Sequence, residues 1–390
     1  MCACPYCKGT TLGYKRRIMA TLALPVVVAV NVGVTTSTAS AAGTWAQVSS
    51  VDPGISPRTL ASVATVAPND VWAVGRYAVT DLAGNWSSRT LGEHWDGVQW
   101  RVSPTADIAV VHPAFPGETL DELHAVSTVS SNDVWAVGTA VRDLNPSSTS
   151  AVGAALIEHW NGRSWSVVAN PTTGNVDTLN AVAAISASDV WAVGSADLVE
   201  HWDGHVWTIV PGGLGQTATL SGVSAASSAD VWAVGHAVDA SHCTFPVSEH
   251  WDGHVWSAVA IPRPADNICR ALYAVTVVAA NNVWSVGSPN LVEHWDGTNW
   301  NTTTVPNTYD LRNFRGVSAL GANDVWAVAS DTIHWDGSTW QAVTAPKGPS
   351  TRGLNAVASL PNHTLWAVGE TGDYSGVPQI RTLIVRNTAG

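Results

Sequence analysis

The chain has 390 residues with a formal net charge of −12, and only 12% of them are charged, roughly half the share in average soluble domains. It contains 21 Trp but only 3 Phe. Nucleic acids and anionic membrane surfaces both require clustered positive charge, so this composition argues against either as a partner.

The first 42 residues have the pattern of a secretory signal peptide. A basic stretch at 15–17 precedes an apolar run at 19–34, which is followed by the small-residue sequence STASAA. This order of basic, apolar and small residues predicts cleavage near Ala41 or Ala42. We therefore predict a signal peptide over residues 1–42 and a protein that is secreted or held at the cell surface.

The apolar run does not predict a membrane anchor. It is short for a transmembrane helix, and Pro25 and Asn31 interrupt it. Either Met1 or Met19 serves as the start. Removal of residues 1–42 leaves 14 basic and 30 acidic residues, a net charge of −16, and no segment expected to insert into a membrane.

The five cysteines fall into two groups. Cys2, Cys4 and Cys7 lie in the predicted leader, so their CPYC sequence is not expected to act as a redox motif, which needs a helix start after a strand. Cys243 and Cys269 remain in the mature chain. A lone pair of cysteines in an exported protein predicts a disulfide.

An internal repeat accounts for 20 of the 21 tryptophans, and only Trp86 lies outside it. The element VWAVG, or a near variant, recurs seven times, around Trp72, Trp135, Trp191, Trp232, Trp284, Trp326 and Trp366. HWDG or a near variant recurs six times, around Trp95, Trp160, Trp202, Trp251, Trp295 and Trp335. A closing Trp recurs seven times, at Trp45, Trp100, Trp165, Trp207, Trp256, Trp300 and Trp340.

Each repeat contains four short apolar segments. In residues 179–210 they are LNAVAAI, VWAVG, LVEHW and VWTIV, and the dipeptide DG between the last two is a strong hairpin signal. No segment after residue 42 has helical periodicity. Four antiparallel strands repeated every ~40–45 residues predict the blades of a β-propeller.

The two ends of the repeat array complete one blade. The seventh repeat supplies three strands and then the chain stops, whereas GTWAQV at 43–48 is a fourth strand without a repeat before it. Pairing of the two ends would leave no exposed sheet edge at the seam. We predict an all-β fold over residues 43–390: one seven-bladed β-propeller of four-stranded antiparallel blades, closed by the N-terminal strand.

The pattern DVWAVG…LVEHWDGHVW resembles the kelch repeat of galactose-oxidase-like propellers, and the resemblance covers nearly all of the mature chain. In that family strand 2 ends in glycine, strand 3 ends in an aromatic residue and strand 4 carries a Trp. This chain has one glycine where kelch has two, Trp where kelch usually has Tyr, and a shorter hairpin. The WD dipeptide also resembles WD repeats, although their Gly-His element is missing. The resemblance implies the fold more than the function.

A Glu-His pair recurs on strand 3 of five blades. It occurs at 93–94, 158–159, 200–201, 249–250 and 293–294. Copies on different blades cannot converge on one metal ion, and adjacent strand residues face opposite ways. We therefore expect each His to bond the turn Asp of its own blade or a neighbour's backbone, and we predict no metal site and no cofactor.

The variable connections predict where a ligand would bind. The connections between strands 2 and 3 and those between blades emerge on one face, and they vary in length at 76–91, 102–119, 139–155, 236–247, 260–270, 301–312 and 370–380. Cys243 and Cys269 both fall on this face, which we call the elaborated face. Binding loops concentrate on the variable face of a rigid scaffold.

A ring of polar residues is predicted at the channel mouth on the elaborated face. The second residue of each strand 1 is Ala61, His124, Asn180, Ser221, Tyr273, Arg315 or Asn355, and Glu122, Asp177, Arg270, Arg312 and Arg352 come just before. Pockets with a few convergent polar groups are the usual ligand sites. The predicted ligand-binding residues are His124, Asn180, Tyr273, Arg315, Asn355, Arg312, Trp86 and Tyr374, and the alternative is that the ring only solvates the mouth.

Three functions fit this sequence. The first is a monomeric binding or scaffold module for a protein, peptide or carbohydrate ligand. The second is a secreted oxidase or glycan-active enzyme with its site at the mouth, but the mature chain has four Tyr and no Tyr–His spacing for the copper site that the galactose-oxidase resemblance raises. The third is a structural repeat protein of the cell surface.

Overall fold

The computed structural model describes residues 43–80, 86–106, 121–142, 152–171, 173, 177–263, 266, 268–306, 313–346, 351–373 and 379–388. The predicted signal peptide lies outside the described residues. Twenty-eight β-strands form seven antiparallel sheets of four strands. The predicted seven-bladed β-propeller is therefore confirmed. The one described helix is a 3-10 turn at Ser195–Asp197, and no described helix is long and apolar enough to cross a membrane.

The blades are numbered in chain order, and within each the strands run from the channel outwards. Blade 1 contains β2 (Ile55–Ala67), β3 (Asp70–Thr80), β4 (Trp86–Trp95) and β5 (Trp100–Val102). Blade 2 contains β6 (Glu122–Ser130), β7 (Asp133–Arg142), β8 (Val152–Trp160) and β9 (Trp165–Val167). Blade 3 contains β10 (Leu179–Ser186), β11 (Asp189–Gly194), β12 (Val199–Trp202) and β13 (Trp207–Ile209).

Blades 4 to 6 repeat this order. Blade 4 contains β14 (Ala218–Ser227), β15 (Asp230–Val238), β16 (Thr244–Trp251) and β17 (Trp256–Val259). Blade 5 contains β18 (Ala271–Ala279), β19 (Asn282–Ser288), β20 (Leu291–Trp295) and β21 (Trp300–Thr302). Blade 6 contains β22 (Gly316–Gly321), β23 (Asp324–Val328), β24 (Thr332–Trp335) and β25 (Trp340–Val343).

The seventh blade is built from both ends of the propeller. It contains β26 (Thr351–Ser359), β27 (Thr364–Asp373) and β28 (Gln379–Thr388), with β1 (Thr44–Val48) as its outer strand. Trp45 pairs with Asn387 and Val48 with Ile384. The predicted closure by the N-terminal strand is therefore confirmed, and the innermost strands contact one another around a closed ring.

Tryptophan packing joins each blade to the next. The ring centroid of Trp191 on β11 lies 4.9 Å from that of Trp251 and 5.4 Å from that of Trp256 in blade 4. The same contacts join Trp72 to Trp160 and Trp165, Trp135 to Trp202 and Trp207, Trp232 to Trp295 and Trp300, Trp284 to Trp335 and Trp340, and Trp366 to Trp95 and Trp100. Trp326 of blade 6 contacts Trp45 on β1 of blade 7. Such pairs stabilise by about 0.5–1.5 kcal/mol beyond the area that they bury.

The repeated histidines have the predicted structural role. His201 Nε2 lies 2.9 Å from Asp189 Oδ1, and its ring centroid lies 4.2 Å from that of Trp191. The same bond joins His94 to Asp70, His159 to Asp133, His250 to Asp230 and His334 to Asp324, while His294 uses Asn282. These bonds hold the turn between strands 1 and 2 against strand 3.

Four of the variable connections are partly strand, and the expectation of loops there was wrong. In blade 1, β3 and β4 pair up to Thr80 and Trp86, and β2 extends to pair Ile55 with Ala78. Blades 2, 4 and 7 extend in the same way. Antiparallel pairing of strands 2 and 3 in these four blades therefore continues beyond the VWAVG element.

Candidate functional site

The elaborated face carries a cavity of about 710 Å³ at the channel mouth. All seven strand-1 residues singled out in the sequence line it: Ala61, His124, Asn180, Ser221, Tyr273, Arg315 and Asn355. Thr59, Arg76, Glu122, Thr219 and Asn313 line it as well. The structure therefore brings these seven residues together, and their role in ligand binding remains a prediction.

A β-bulge places the lining residue in six of the seven blades. The pairing of strand 1 with strand 2 skips one residue after the leading leucine, for example between Leu179 and Ala181, and the skipped residue is Asn180. The same shift leaves out Ala61, His124, Ser221, Tyr273 and Asn355. Bulges re-aim side chains and are frequent next to functional sites.

Three of the bulge residues join neighbouring blades. His124 Nδ1 donates to Leu179 O at 2.9 Å, Asn180 Nδ2 to Leu220 O at 2.8 Å and Asn355 Nδ2 to Leu60 O at 2.9 Å. Each acceptor is the leucine carbonyl just before the next blade's bulge. The sequence did not predict this structural role, in which the three side chains hydrogen-bond neighbouring blades to each other at the mouth.

The opposite side of the mouth carries Arg315 and Tyr273. Arg315 Nη1 donates to Asn355 Oδ1 at 3.1 Å, and the Tyr273 hydroxyl lies 3.0 Å from Ser288 Oγ. In the part of the chain that the structure describes, no carboxylate pairs with the Arg315 guanidinium. Arg315 is exposed to the cavity.

A charged cluster spans blades 1 and 2 at the mouth. The Glu122 carboxylate lies 3.1 Å from His124 Nε2 and 3.2 Å from Arg76 Nη1. The hydrogen bond from His124, followed by the charges of His124 and Arg76, holds the pKa of Glu122 below its ordinary value although burial opposes this. Arg76 was missed in the sequence because it follows the VWAVG element, where the other blades carry mostly uncharged residues.

Three of the predicted ligand-binding residues are not among those that line the described cavity. Arg312 and Tyr374 fall outside the described residues, and the main chain of Trp86 begins β4 opposite Thr80. The expectation that Asp177 and Arg270 belong to the ring was wrong. Asp177 is buried and accepts a bond from the Thr173 amide, and Arg270 bonds Asp266 with both terminal nitrogens. The hydrogen bonds that form in the folded protein set the orientation of these two side chains, and the repeat pattern does not specify those bonds.

The predicted disulfide is confirmed. Cys243 and Cys269 are bonded, with Cα atoms 5.2 Å apart, and join the loop between β15 and β16 to the linker before β18. A second cavity of about 390 Å³ lies beside them. Within it the Arg263 guanidinium lies 3.2 Å from the centre of the Phe245 ring.

The structure also contains five buried glutamates, one in each of blades 1 to 5, whose burial the sequence did not predict. Glu93, Glu158, Glu200, Glu249 and Glu293 are at most 1% exposed. Burial raises the pKa of Glu93 to about 8 and that of Glu200, Glu249 and Glu293 to about 7. Among the described residues, no group of three or more His, Cys, Asp or Glu side chains could hold a metal ion.

The fold and the mouth together define a seven-bladed β-propeller with a polar cavity over its channel. No protein-family model matches the chain, and no curated protein does. Among solved structures, YCF48 bound to D1 peptide is similar at 15% identity and TM-score 0.56, covering 92% of this chain and 100% of that one. YCF48 from Cyanidioschyzon merolae is similar at 13% identity and TM-score 0.53, covering 89% and 99%. The WD40 propeller domain of Doa1 has 12% identity, TM-score 0.55, and coverage of 89% and 97%.

Proposed function

We propose that the protein is a binding module that takes a protein or peptide segment at the channel mouth. One observation carries this proposal: every blade contributes a residue at or just before the start of its inner strand to a single cavity of about 710 Å³. A rigid frame with convergent polar groups is the usual form of a ligand site. The likeness to YCF48, which is solved with a D1 peptide, supports a peptide ligand.

The mouth offers both kinds of hydrogen-bonding group that a peptide backbone needs. Asn180 uses its Nδ2 for Leu220 O, which leaves its Oδ1 as an acceptor, while Arg315 and Ser221 offer donors. Every non-proline peptide unit has one donor and one acceptor to match. A carbohydrate ligand remains the alternative.

Filling the mouth tests this function. The purified protein is used to select binders from a displayed library of random nonapeptides. Ser221→Trp places a large ring in the cavity and keeps the hydrogen bonds that His124, Asn180 and Asn355 make between blades, so the selected peptides should lose at least about tenfold in affinity. Ser164→Trp, an exposed site in the turn between β8 and β9, is the matched control and should bind normally. Equal binding by both variants would contradict a site at the mouth.

We also propose that the protein works outside the cytoplasm. The leader pattern over residues 1–42 and the Cys243–Cys269 disulfide support export, because structural disulfides persist in oxidising compartments. We further propose that the propeller is of the kelch-like type and that the protein is a monomer. An intact mass that still includes residues 1–42 in protein recovered from the medium would contradict this export route.

A further inference from the structure

The linker from blade 3 to blade 4 is held by two carboxylates from different blades. Asp197 Oδ2 accepts bonds from the amides of Leu214 at 2.9 Å and Gly215 at 2.7 Å. Glu249 Oε2 accepts a bond from the amide of Gly213 at 2.7 Å. Three consecutive amides of the linker are therefore bonded to two acidic side chains. We call these three amides and the two carboxylates the linker clasp.

The main chain is shaped to bring Asp197 against the linker. Ala196 has a φ of 55° and Asp197 a φ of 58°, in the left-handed region that is unfavourable for residues with a Cβ atom. The linker fits closely on the other side, because a Cβ atom on Gly212 would lie 2.6 Å from Asp197 Oδ2. The clasp thus depends on a strained turn and on a glycine at one fixed position.

The two carboxylates of the clasp are buried next to each other without a cation. Glu249 is 0% exposed, and Asp197 is half-buried. Glu249 Oε1 and Asp197 Oδ1 are shielded from solvent and have no hydrogen-bond partner among the described residues. Burial first, and then the charge of Asp197, raise the pKa of Glu249 to about 7 against the opposing bond from Gly213. Burial also raises the pKa of Asp197. Two neighbouring buried carboxylates resist ionisation of both.

The surrounding elements add no further titratable group to the clasp. The linker at 211–217, β14 and β17 contain no charged residue. His236 and His250 lie on the side of blade 4 that carries Trp232 and faces blade 5, opposite to Glu249. Glu200 of β12 is bonded to Asn170 in the preceding linker.

We propose that the linker clasp is a proton-operated device, which holds the linker while one of its two carboxyls is protonated and opens locally when both are ionised. In the open form the Glu249 carboxyl meets water and releases its proton near pH 4.5, whereas in the closed form it keeps the proton up to about pH 7. The closed form is therefore favoured at low pH, loses stability between these two values and stays constant above them.

The clasp lies next to the channel mouth along the chain. Gly215 O accepts a bond at 3.0 Å from the amide of Ala218, the first residue of β14. Thr219 and Ser221 of the same strand line the cavity at the mouth. Opening of the clasp would therefore loosen the start of the strand that brings these two residues to the mouth. The device itself does not depend on which ligand the mouth binds.

Amide hydrogen exchange of the purified protein, followed by mass spectrometry, tests the proposal. The protection of the amides at 213–215, relative to an unstructured peptide at the same pH, should fall about tenfold from about pH 5.5 to about pH 8. The amides of Ser241 and Cys243 are the internal reference. They are bonded to Asp239, and these bonds, chiefly the one from the Ser241 hydroxyl, hold its pKa below the ordinary value. Their protection should stay constant, and equal protection of the linker at both pH values would overturn the proposal.

Two variants and a matched control assign the effect to the clasp. Glu249→Gln keeps an oxygen for the Gly213 amide but cannot ionise, so its linker should be equally protected at both pH values. Glu200→Gln changes the same position of blade 3 and should leave the fall in protection unchanged. Asp197→Asn is the second test if Glu249→Gln does not fold, and it should reduce the fall. A fall that persists in both clasp variants, or that has the same size in every segment of the chain, would overturn the proposal.

Discussion

At the scale of single residues, four of the five buried glutamates tie the linkers to the blades, while Glu293 accepts a bond from Thr302 of its own blade. Glu249 accepts a bond from the Gly213 amide at 2.7 Å, and Glu158 accepts one from the Ala106 amide at 2.8 Å. Ser50 and Asn170 bond Glu93 and Glu200 in the same way. In each case the donor lies in the linker arriving from the preceding blade. A buried carboxyl with few donors favours its neutral form.

The raised pKa values predict stability that falls as the pH rises. An unfolded glutamate releases its proton near pH 4.5, whereas folded Glu200 holds it up to about pH 7. The free energy of unfolding should therefore decrease between these values and then level off. To isolate the contribution of this one carboxyl, urea unfolding of Glu200→Gln is compared with the wild type at each pH. The wild type should lose stability relative to the variant from about pH 5 to about pH 8.

Asp96→Asn is the control for this experiment. The bond from Arg101 and those from the amides of Gln99 and Val98 hold the pKa of exposed Asp96 below its ordinary value, so its folded and unfolded forms are both ionised above about pH 5. The stability of this variant relative to the wild type should stay constant in the same range. A difference between Glu200→Gln and the wild type that does not change with pH would contradict the role given to the buried carboxyls.

At the scale of elements, strands 2 and 3 of blades 1, 2, 4 and 7 extend beyond the ring of blades on the elaborated face. The pairing of β15 with β16 continues to Val238 and Thr244, and the disulfide fastens the tip of this hairpin to the next linker through Cys243 and Cys269. Arg270 N also donates to Thr244 O at 2.9 Å. A main-chain bond and a covalent bond thus hold the same junction.

Removal of the disulfide should destabilise this junction. The double variant Cys243→Ser/Cys269→Ser should lose about 2–4 kcal/mol in the free energy of unfolding, since the bond closes a loop in the unfolded chain. Thermal unfolding with and without reductant measures this. The wild type should melt lower when reduced, while the double variant should not respond to reductant. Equal melting temperatures for both proteins in oxidising buffer would show that the disulfide does not support the fold.

At the scale of the whole molecule, the propeller is closed by hydrogen bonds between its two ends. Thr44 pairs with Thr388, so both ends of the described propeller lie side by side. Strand 4 runs towards the elaborated face and strand 3 away from it, which places residues 44 and 388 on the opposite face from the mouth. A fusion at either end therefore leaves the mouth accessible.

Moving the seam should preserve the propeller. In a circular permutant, a short linker joins residue 388 to residue 43 and new ends are opened between Asp203 and Gly204, in the turn between β12 and β13. Blade 3 is then completed by both ends of the chain, with β13 from the new N-terminus and β10, β11 and β12 from the new C-terminus. The permutant should therefore fold, with a native far-UV circular dichroism spectrum and a cooperative thermal transition. Deletion of residues 43–48 from the normal chain should instead expose the edge of β28 and lead to aggregation. A permutant that does not fold would show that the seam must lie at blade 7.

The sequence alone was sufficient for the number of blades, the strand order, the closure at the seam and the pairing of histidine with the turn carboxylate. These features depend on short-range patterns in the sequence. Polar and apolar residues alternate along a strand, a DG turn forms a hairpin, and each repeat folds into the same unit as its neighbours. The ring at the mouth was also foreseen, because one position of a repeated strand must recur around the axis. Only the tertiary structure showed which of those side chains join neighbouring blades and that Arg76 pairs with Glu122. It also showed that Arg270 bonds Asp266 and that five glutamates are buried. Charge pairing and burial depend on which atoms of neighbouring blades come into contact. The order of residues along the chain does not specify the distances between those atoms.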